Sequence, residues 1–124
     1  MTAIIRRSIL FVPADRIDRI EKSLLLPADS ITIDLEDAVT PQRKDEARQI
    51  VKKVLGEFDF GSKEIIVRVN SIGTVDGLKD VLMLKECSRL PDLVMLPKTE
   101  SAGEAALFAN LLGEIDEEIK LQVI

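Results

Sequence analysis

Short apolar runs rich in Val, Ile and Leu alternate along the chain with stretches in which apolar residues recur about every three to four positions. The runs Ser8 to Val12, Ile31 to Leu35, Ile65 to Val69, Leu93 to Leu96 and Leu121 to Ile124 read as strands bounded by turn residues and charges. Four amphipathic helices are expected between them. The first starts at about Asp15, with Ile17, Ile20 and Leu24 on one face. The second takes Thr40 as N-cap and Pro41 as its first residue, sets Ala47, Ile50, Val51, Val54 and Leu55 at core spacing, and stops at Gly56. The third covers roughly Val75 to Arg89. The fourth opens on Ser101 and Glu104, a capping-box pair, and carries Leu107, Phe108, Leu111 and Leu112.

Strand and helix repeat at intervals of about 25 to 30 residues, the length of a βαβ unit, which implies parallel strands joined by right-handed crossovers. An open doubly wound sheet and a (β/α)₈ barrel both accept such a pattern. The polar residues favour the barrel, because chemistry gathers at the C-terminal ends of successive strands: Asp34, Glu36 and Asp37, then Arg68 and Asn70, then Lys98. Alternation along a strand places Thr32, Asp34 and Glu36 on one face and pairs Arg68 with Asn70 in the same way. The first strand ends in Val12-Pro13-Ala14, without the glycine-rich phosphate turn of a dinucleotide-binding sheet. A barrel needs at least ~200 residues. The expected fold is therefore α/β, a parallel (β/α) TIM-barrel type truncated to about the first five strands and four helices, with residues 1–124 as the N-terminal portion of one barrel domain and the remainder absent. No linker, repeat or low-complexity tract marks a second domain.

Composition narrows the chemistry. A net charge of -5, a pI near 4.8 and few aromatics give no footprint for nucleic acid. No stretch is apolar enough to span a bilayer, and Arg6-Arg7 before Ile9 to Val12 is too short a signal, so a cytoplasmic first strand is expected. The single cysteine, Cys87, fits a reducing compartment and reads as a buried, inert thiol. Histidine is absent, which removes imidazole acid/base catalysis, Ser-His and Cys-His pairs and imidazole metal ligands together. Carboxylates, lysines, arginines and backbone groups are left. Spacing alone leaves two readings open for each: Asp34, Glu36 and Asp37 as a site or a solvated loop, and Arg68 as an anion clamp or a structural ion pair with Glu36. Arg16 and Lys22 alone would be ordinary surface charges, and Phe11 a core residue.

The ordered set Arg6-Arg7-Ser8-Ile9-Leu10-Phe11-Val12-Pro13, Lys22, Ala28-Asp29, Asp34-Leu35-Glu36-Asp37-Ala38-Val39, Lys44, Ala47-Arg48, Val67-Arg68-Val69-Asn70 and Leu96-Pro97-Lys98 resembles the citrate lyase beta and malyl-CoA lyase group of the HpcH/HpaI aldolase superfamily. The resemblance runs in order over almost the whole chain. It implies a TIM barrel, a Mg²⁺ cofactor and a carbon-carbon lyase that cleaves a hydroxyacyl-CoA thioester, of the citryl-CoA or malyl-CoA type, to acetyl-CoA and a 2-keto acid. It further implies that Arg68 is the catalytic, substrate-binding arginine, that Phe11, Arg16 and Lys22 line the coenzyme A site, and that Glu36 and Asp37 support the metal's water shell or Arg68. The metal ligands, a Glu and an Asp, are expected after Ile124, so none is expected within this chain. The implied partners are acyl-CoA and keto acid, a homo-oligomer that is a trimer or hexamer, and other citrate lyase subunits. One departure is Ala14, where the family usually has glycine.

Two other readings are kept. Lys98 at a strand end could form a Schiff base with a keto substrate, as in a class I aldolase. Alternatively, the chain is a non-catalytic α/β module that binds CoA or an acidic metabolite. The fragment alone is expected to be inactive and to self-associate through unpaired sheet edges.

Overall fold

The computed structural model describes residues 8–97, 102–116 and 120–123. Five parallel strands, β1 (Ile9–Pro13), β2 (Ser30–Asp34), β3 (Glu64–Arg68), β4 (Leu93–Leu96) and β5 (Lys120–Val123), lie side by side in sequential order. Between them run α1 (Ile17–Ser23), α2 (Lys44–Glu57), α3 (Val75–Glu86) and α4 (Ala102–Ile115). With strands in sequential order and crossovers of one hand, every helix falls on the same face of the sheet. The core shows that it does. A single apolar cluster joins Val12, Ile31, Ile33, Ile65, Val67, Val94 and Leu96 from the strands to Ile20, Val51, Leu55, Val81, Leu84, Phe108 and Leu112 from the helices. A doubly wound sheet would carry helices on both faces.

The opposite face holds Ile9, Phe11, Ser30, Thr32, Asp34, Glu64, Ile66, Arg68, Leu93 and Met95, as strand register requires. Ile66, Leu93 and Met95 form their own small buried cluster there. No described helix covers this face, yet Thr32 and Ile66 are inaccessible, as on the inside of a sheet that curls toward closure. At the β1 margin Ile9 and Phe11 stay 42% and 48% exposed. This is the one-sided architecture of a (β/α) barrel's first five strands.

Boundaries differ from the apolar runs in instructive ways. β2 and β3 begin at Ser30 and Glu64, one residue earlier, because these two are register partners and Ser30 Oγ donates to Glu64 Oε1 at 2.9 Å. A polar pair that satisfies itself joins a strand without adding to its hydrophobic pattern. Thr40 precedes a 3₁₀ turn, Pro41–Arg43, and makes no side-chain cap, so α2 starts at Lys44. Nor does Gly56 stop α2, which runs on to Glu57. A Cβ at Gly56 would meet Ser88 Oγ at 2.9 Å, so its role is close approach. α3 ends at Glu86, before Arg89, and has a true cap: Thr74 Oγ1 accepts from Gly77 N at 3.0 Å. There a Cβ on Gly77 would fall 1.9 Å from the Ser71 carbonyl oxygen, a clash with backbone that no side chain can relieve. Ser101, the expected cap of α4, lies outside the described residues. Cys87 ends α3 half-buried, with burial raising its thiol pKa. No helix among the described residues is long and apolar enough to cross a membrane.

Candidate functional site

Asp34 and Arg68 are the last residues of β2 and β3 and are register partners, so their side chains emerge next to each other on the face without helices. They form a two-pronged pair: Arg68 Nε donates to Asp34 Oδ1 at 2.9 Å and Nη2 to Oδ2 at 2.6 Å. Asp34 also accepts from the backbone N–H of Glu36 at 2.8 Å and of Ala38 at 3.1 Å, which folds the loop after β2 back over the strand end. Burial pushes the Asp34 pKa up, but Arg68 and these two N–H groups outweigh it and hold the carboxyl below its ordinary value. The Asp34 hydrogen bond in turn makes Arg68 a firmer cation.

The hydrogen-bonded partner of Arg68 is therefore Asp34, while Glu36 forms a longer ion pair with it, its Oε1 3.9 Å from Nε. Asp34 occupies the Nε edge of the guanidinium. Nη1 makes no hydrogen bond to a described residue, so among the described residues the Nη1–Nη2 edge has no carboxylate of its own. The Phe11 ring lies under the guanidinium, 5.4 Å from its carbon to the ring centroid. Thr32 Oγ1, buried on the same face two residues before Asp34, has no hydrogen-bond partner among the described residues.

Glu36 is partly buried beside Asp37, and burial first, then that neighbouring carboxylate, raises its pKa. A carboxyl whose folded pKa exceeds its unfolded one imposes a cost that appears as pH rises through the folded value and is absent where both states are protonated. Glu36→Gln should thus raise the melting temperature at pH 7 and change it much less at pH 3; equal shifts at both pH values would contradict the assignment.

Asn70 does not share a face with Arg68. β3 ends at Arg68, alternation stops there, and Asn70 turns under the helix layer. Its Nδ2 donates to Asp80 Oδ2 at 2.8 Å and to the Leu35 carbonyl at 3.1 Å, while Oδ1 accepts from Lys44 Nζ at 2.8 Å. Lys44 also donates to the Leu35 and Glu36 carbonyls, and Asp80 accepts from Arg48 Nη1 at 2.9 Å. This buried network below the acidic loop carried no expected role, although Lys44 and Arg48 stand in the motif set. The only hint was their position in the first turns of a helix that follows the loop.

Of the expected coenzyme A residues, Phe11 joins the Arg68 cluster. Arg16, exposed, pairs with Asp18, and Lys22 is exposed on α1; neither makes a described contact with Phe11. Ala14, where a glycine was expected, is buried and donates its N–H to the Asp34 carbonyl at 2.9 Å, so its Cβ fits this loop. A further tie, Arg43 Nε to Asp15 Oδ2 at 2.6 Å, joins the loop after β1 to the 3₁₀ turn. Lys98 lies outside the described residues.

A hard divalent cation such as Mg²⁺ needs several fixed oxygen ligands. Asp34 is committed to Arg68 and two N–H groups, which leaves Glu36 and Asp37, and among the described residues no group of three acidic or thiol side chains could hold a metal. The described residues therefore do not compose a magnesium site by themselves. Glu36 and Asp37 suit a role beside one.

Comparison with known proteins places these observations in context. Residues 7–123 match the family model described as HpcH/HpaI aldolase/citrate lyase. The chain is 36% identical over 109 residues to a (3S)-malyl-CoA thioesterase of Cereibacter sphaeroides, covering 88% of this chain and 38% of that protein. It is 33% identical over 114 residues to citrate lyase subunit beta of Leuconostoc mesenteroides, covering 92% and 37% respectively. The fold matches the crystal structure of CitE from Mycobacterium tuberculosis in complex with magnesium, acetoacetate and coenzyme A, with a TM-score of 0.66, 32% identity, and coverage of 93% of this chain and 38% of that one. The chain thus spans less than two fifths of each of these proteins.

Proposed function

This chain belongs to the HpcH/HpaI aldolase/citrate lyase family, and from that premise we propose that it supplies the N-terminal portion of a barrel that cleaves a carbon-carbon bond in a hydroxyacyl-CoA thioester. The substrate is of the citryl-CoA or malyl-CoA type and the products are acetyl-CoA and a 2-keto acid. The observation that carries the reading is the guanidinium of Arg68, locked by Asp34 at the C-terminal end of the sheet, with Nη1 bonded to no described residue. In a barrel, that end is where the reaction takes place.

In the retro-Claisen direction the carbinol hydroxyl loses its proton, the adjacent carbon-carbon bond breaks, its electron pair becomes the thioester enolate, and the enolate takes up a proton to give acetyl-CoA. Arg68 would bind the carboxylate beside the carbinol carbon through two parallel N–H bonds, fixing which bond breaks. Because Asp34 and Phe11 hold the guanidinium in one plane, little reorganisation is needed when the substrate arrives. Glu36 and Asp37 would order the water around Mg²⁺, which when bound polarises the oxygen that becomes the ketone. Phe11, Arg16 and Lys22 are proposed to face coenzyme A from β1 and α1. A homo-oligomer, with other citrate lyase subunits as candidate partners, is part of the same proposal.

The test is to assay the full-length protein with citryl-CoA and malyl-CoA in Mg²⁺ and to identify products. Acetyl-CoA and a 2-keto acid are expected, and the 124-residue chain by itself should show no turnover. Free CoA with intact hydroxy acid would replace lyase by thioesterase, the activity named for the Cereibacter relative. Covalent trapping by borohydride would establish a Schiff base, and CoA binding without turnover a non-catalytic module.

A further inference from the structure

Lys44 is 8% exposed, and its ammonium makes three described hydrogen bonds: to the Leu35 carbonyl at 2.8 Å, to the Glu36 carbonyl at 2.9 Å and to Asn70 Oδ1 at 2.8 Å. An ammonium has three donors, so none is left over. A lysine in the first turn of a helix ordinarily reaches into water, because burying its charge is costly unless every proton is accepted. Here two of the three acceptors are backbone carbonyls of the acidic loop itself. The loop is thereby gripped from both sides, with the Asp34 carboxylate holding the N–H groups of Glu36 and Ala38 and Lys44 holding the carbonyls of Leu35 and Glu36.

Lys44 is in turn held in place. Asn70 Oδ1 accepts from it, and the Asn70 amide reaches both the Leu35 carbonyl and Asp80, which Arg48 of α2 pins from the other side. The grip therefore ties the start of α2, the end of β3 and the body of α3 to one loop, and that loop is the one carrying Glu36 and Asp37. Satisfying two buried carbonyls would not by itself call for a lysine, since a backbone N–H or a neutral amide does so without desolvating a charge.

We propose that Lys44 is a positioning residue, a buried latch that fixes the backbone of Glu36 and Asp37 against the Arg68–Asp34 pair so that their carboxylates stand in one place relative to the bound substrate. The proposal rests on the lyase reading for its catalytic consequence and on geometry alone for the latch, and the two are tested separately.

In the full-length protein, Lys44→Met should speed amide hydrogen exchange in the 35–39 segment by about tenfold or more, the effect of losing charged hydrogen bonds, while exchange within β2 stays near wild type. On whichever hydroxyacyl-CoA the wild type cleaves, kcat should fall by about tenfold with KM for the thioester nearly unchanged, because orientation is lost and not binding. Val51→Ala, which removes core volume from the same helix without touching the loop, should lower stability and leave both readouts alone. If Lys44→Met does not fold, Asn70→Ser carries the same two readouts with changes of a few-fold, since it removes one partner of the ammonium, one bond to Leu35 and one to Asp80. Unchanged exchange would overturn the latch whatever the activity. Faster exchange with wild-type kcat would make Lys44 merely structural, as would an equal loss of kcat in Val51→Ala. A wild type with no lyase turnover but faster loop exchange in the variant would remove the enzyme reading and its catalytic consequence, leaving a loop latch only.

Discussion

Asp80→Ala is expected to destabilise the protein by about 3–5 kcal/mol, the range for removing one partner of a buried, hydrogen-bonded charge. Asp80 is fully buried in α3 and accepts from Asn70 N at 2.7 Å, Asn70 Nδ2 at 2.8 Å and Arg48 Nη1 at 2.9 Å. Burial drives its pKa up, against the opposing pull of the Asn70 donors and Arg48. Alanine would leave the Asn70 N–H without that acceptor and the Arg48 guanidinium, itself almost wholly buried, leaning on Asp45 and Asp76. Denaturant midpoints at unchanged slope measure the loss. Asp45, by contrast, sits at the surface, and Asp45→Ala should leave the midpoint close to wild type. If the two variants lost the same stability, the buried network would not be what joins α2 and α3 to the end of β3.

This network also marks where the amino-acid pattern stops being informative. The five strands were legible because Val and Ile runs such as Ile31 to Leu35 and Ile65 to Val69 advertise parallel strands covered by helices, and their sequential order because the polar strand ends favoured a barrel over an open sheet. Asp34 and Arg68 were legible as site candidates because a charge at the end of an apolar run needs a reason. Their pairing with each other was not, since it depends on the register between β2 and β3, which periodicity within one strand cannot reveal. Asn70 was misplaced because the rule of alternation was carried two residues past the point where the strand ends. Nothing in the pattern marks Lys44, Arg48 and Asp80 as buried, because charges usually solvate a helix face. Only the three-dimensional return of α2 and α3 over the loop supplies the carbonyls and amides that make their burial tolerable.

On the proposed lyase reading, Arg68→Lys should lower kcat/KM of the full-length protein for a hydroxyacyl-CoA by on the order of a hundredfold, corresponding to about 1.5–3 kcal/mol for a charged hydrogen bond. The argument rests on the geometry of the two edges of the guanidinium. One edge, Nε and Nη2, is taken by Asp34, and on the other Nη1 is bonded to no described residue. A lysine carries the same charge but a single nitrogen, so it can answer Asp34 or a substrate carboxylate through well-formed bonds, not both, and it cannot lie flat against Phe11. Asp34, nearly inaccessible and bonded to the N–H groups of Glu36 and Ala38, competes successfully for that nitrogen, and the substrate loses its clamp. Inhibition by a free 2-keto acid should weaken by a similar factor, while the affinity for CoA alone stays as in wild type, which separates loss of the clamp from general damage to the site. Stability should fall only modestly, because the lysine keeps Asp34 paired. A variant with wild-type activity and a markedly lower melting temperature would show instead that Arg68 serves Asp34 alone, and that its Nη1 faces nothing the proposed reaction uses.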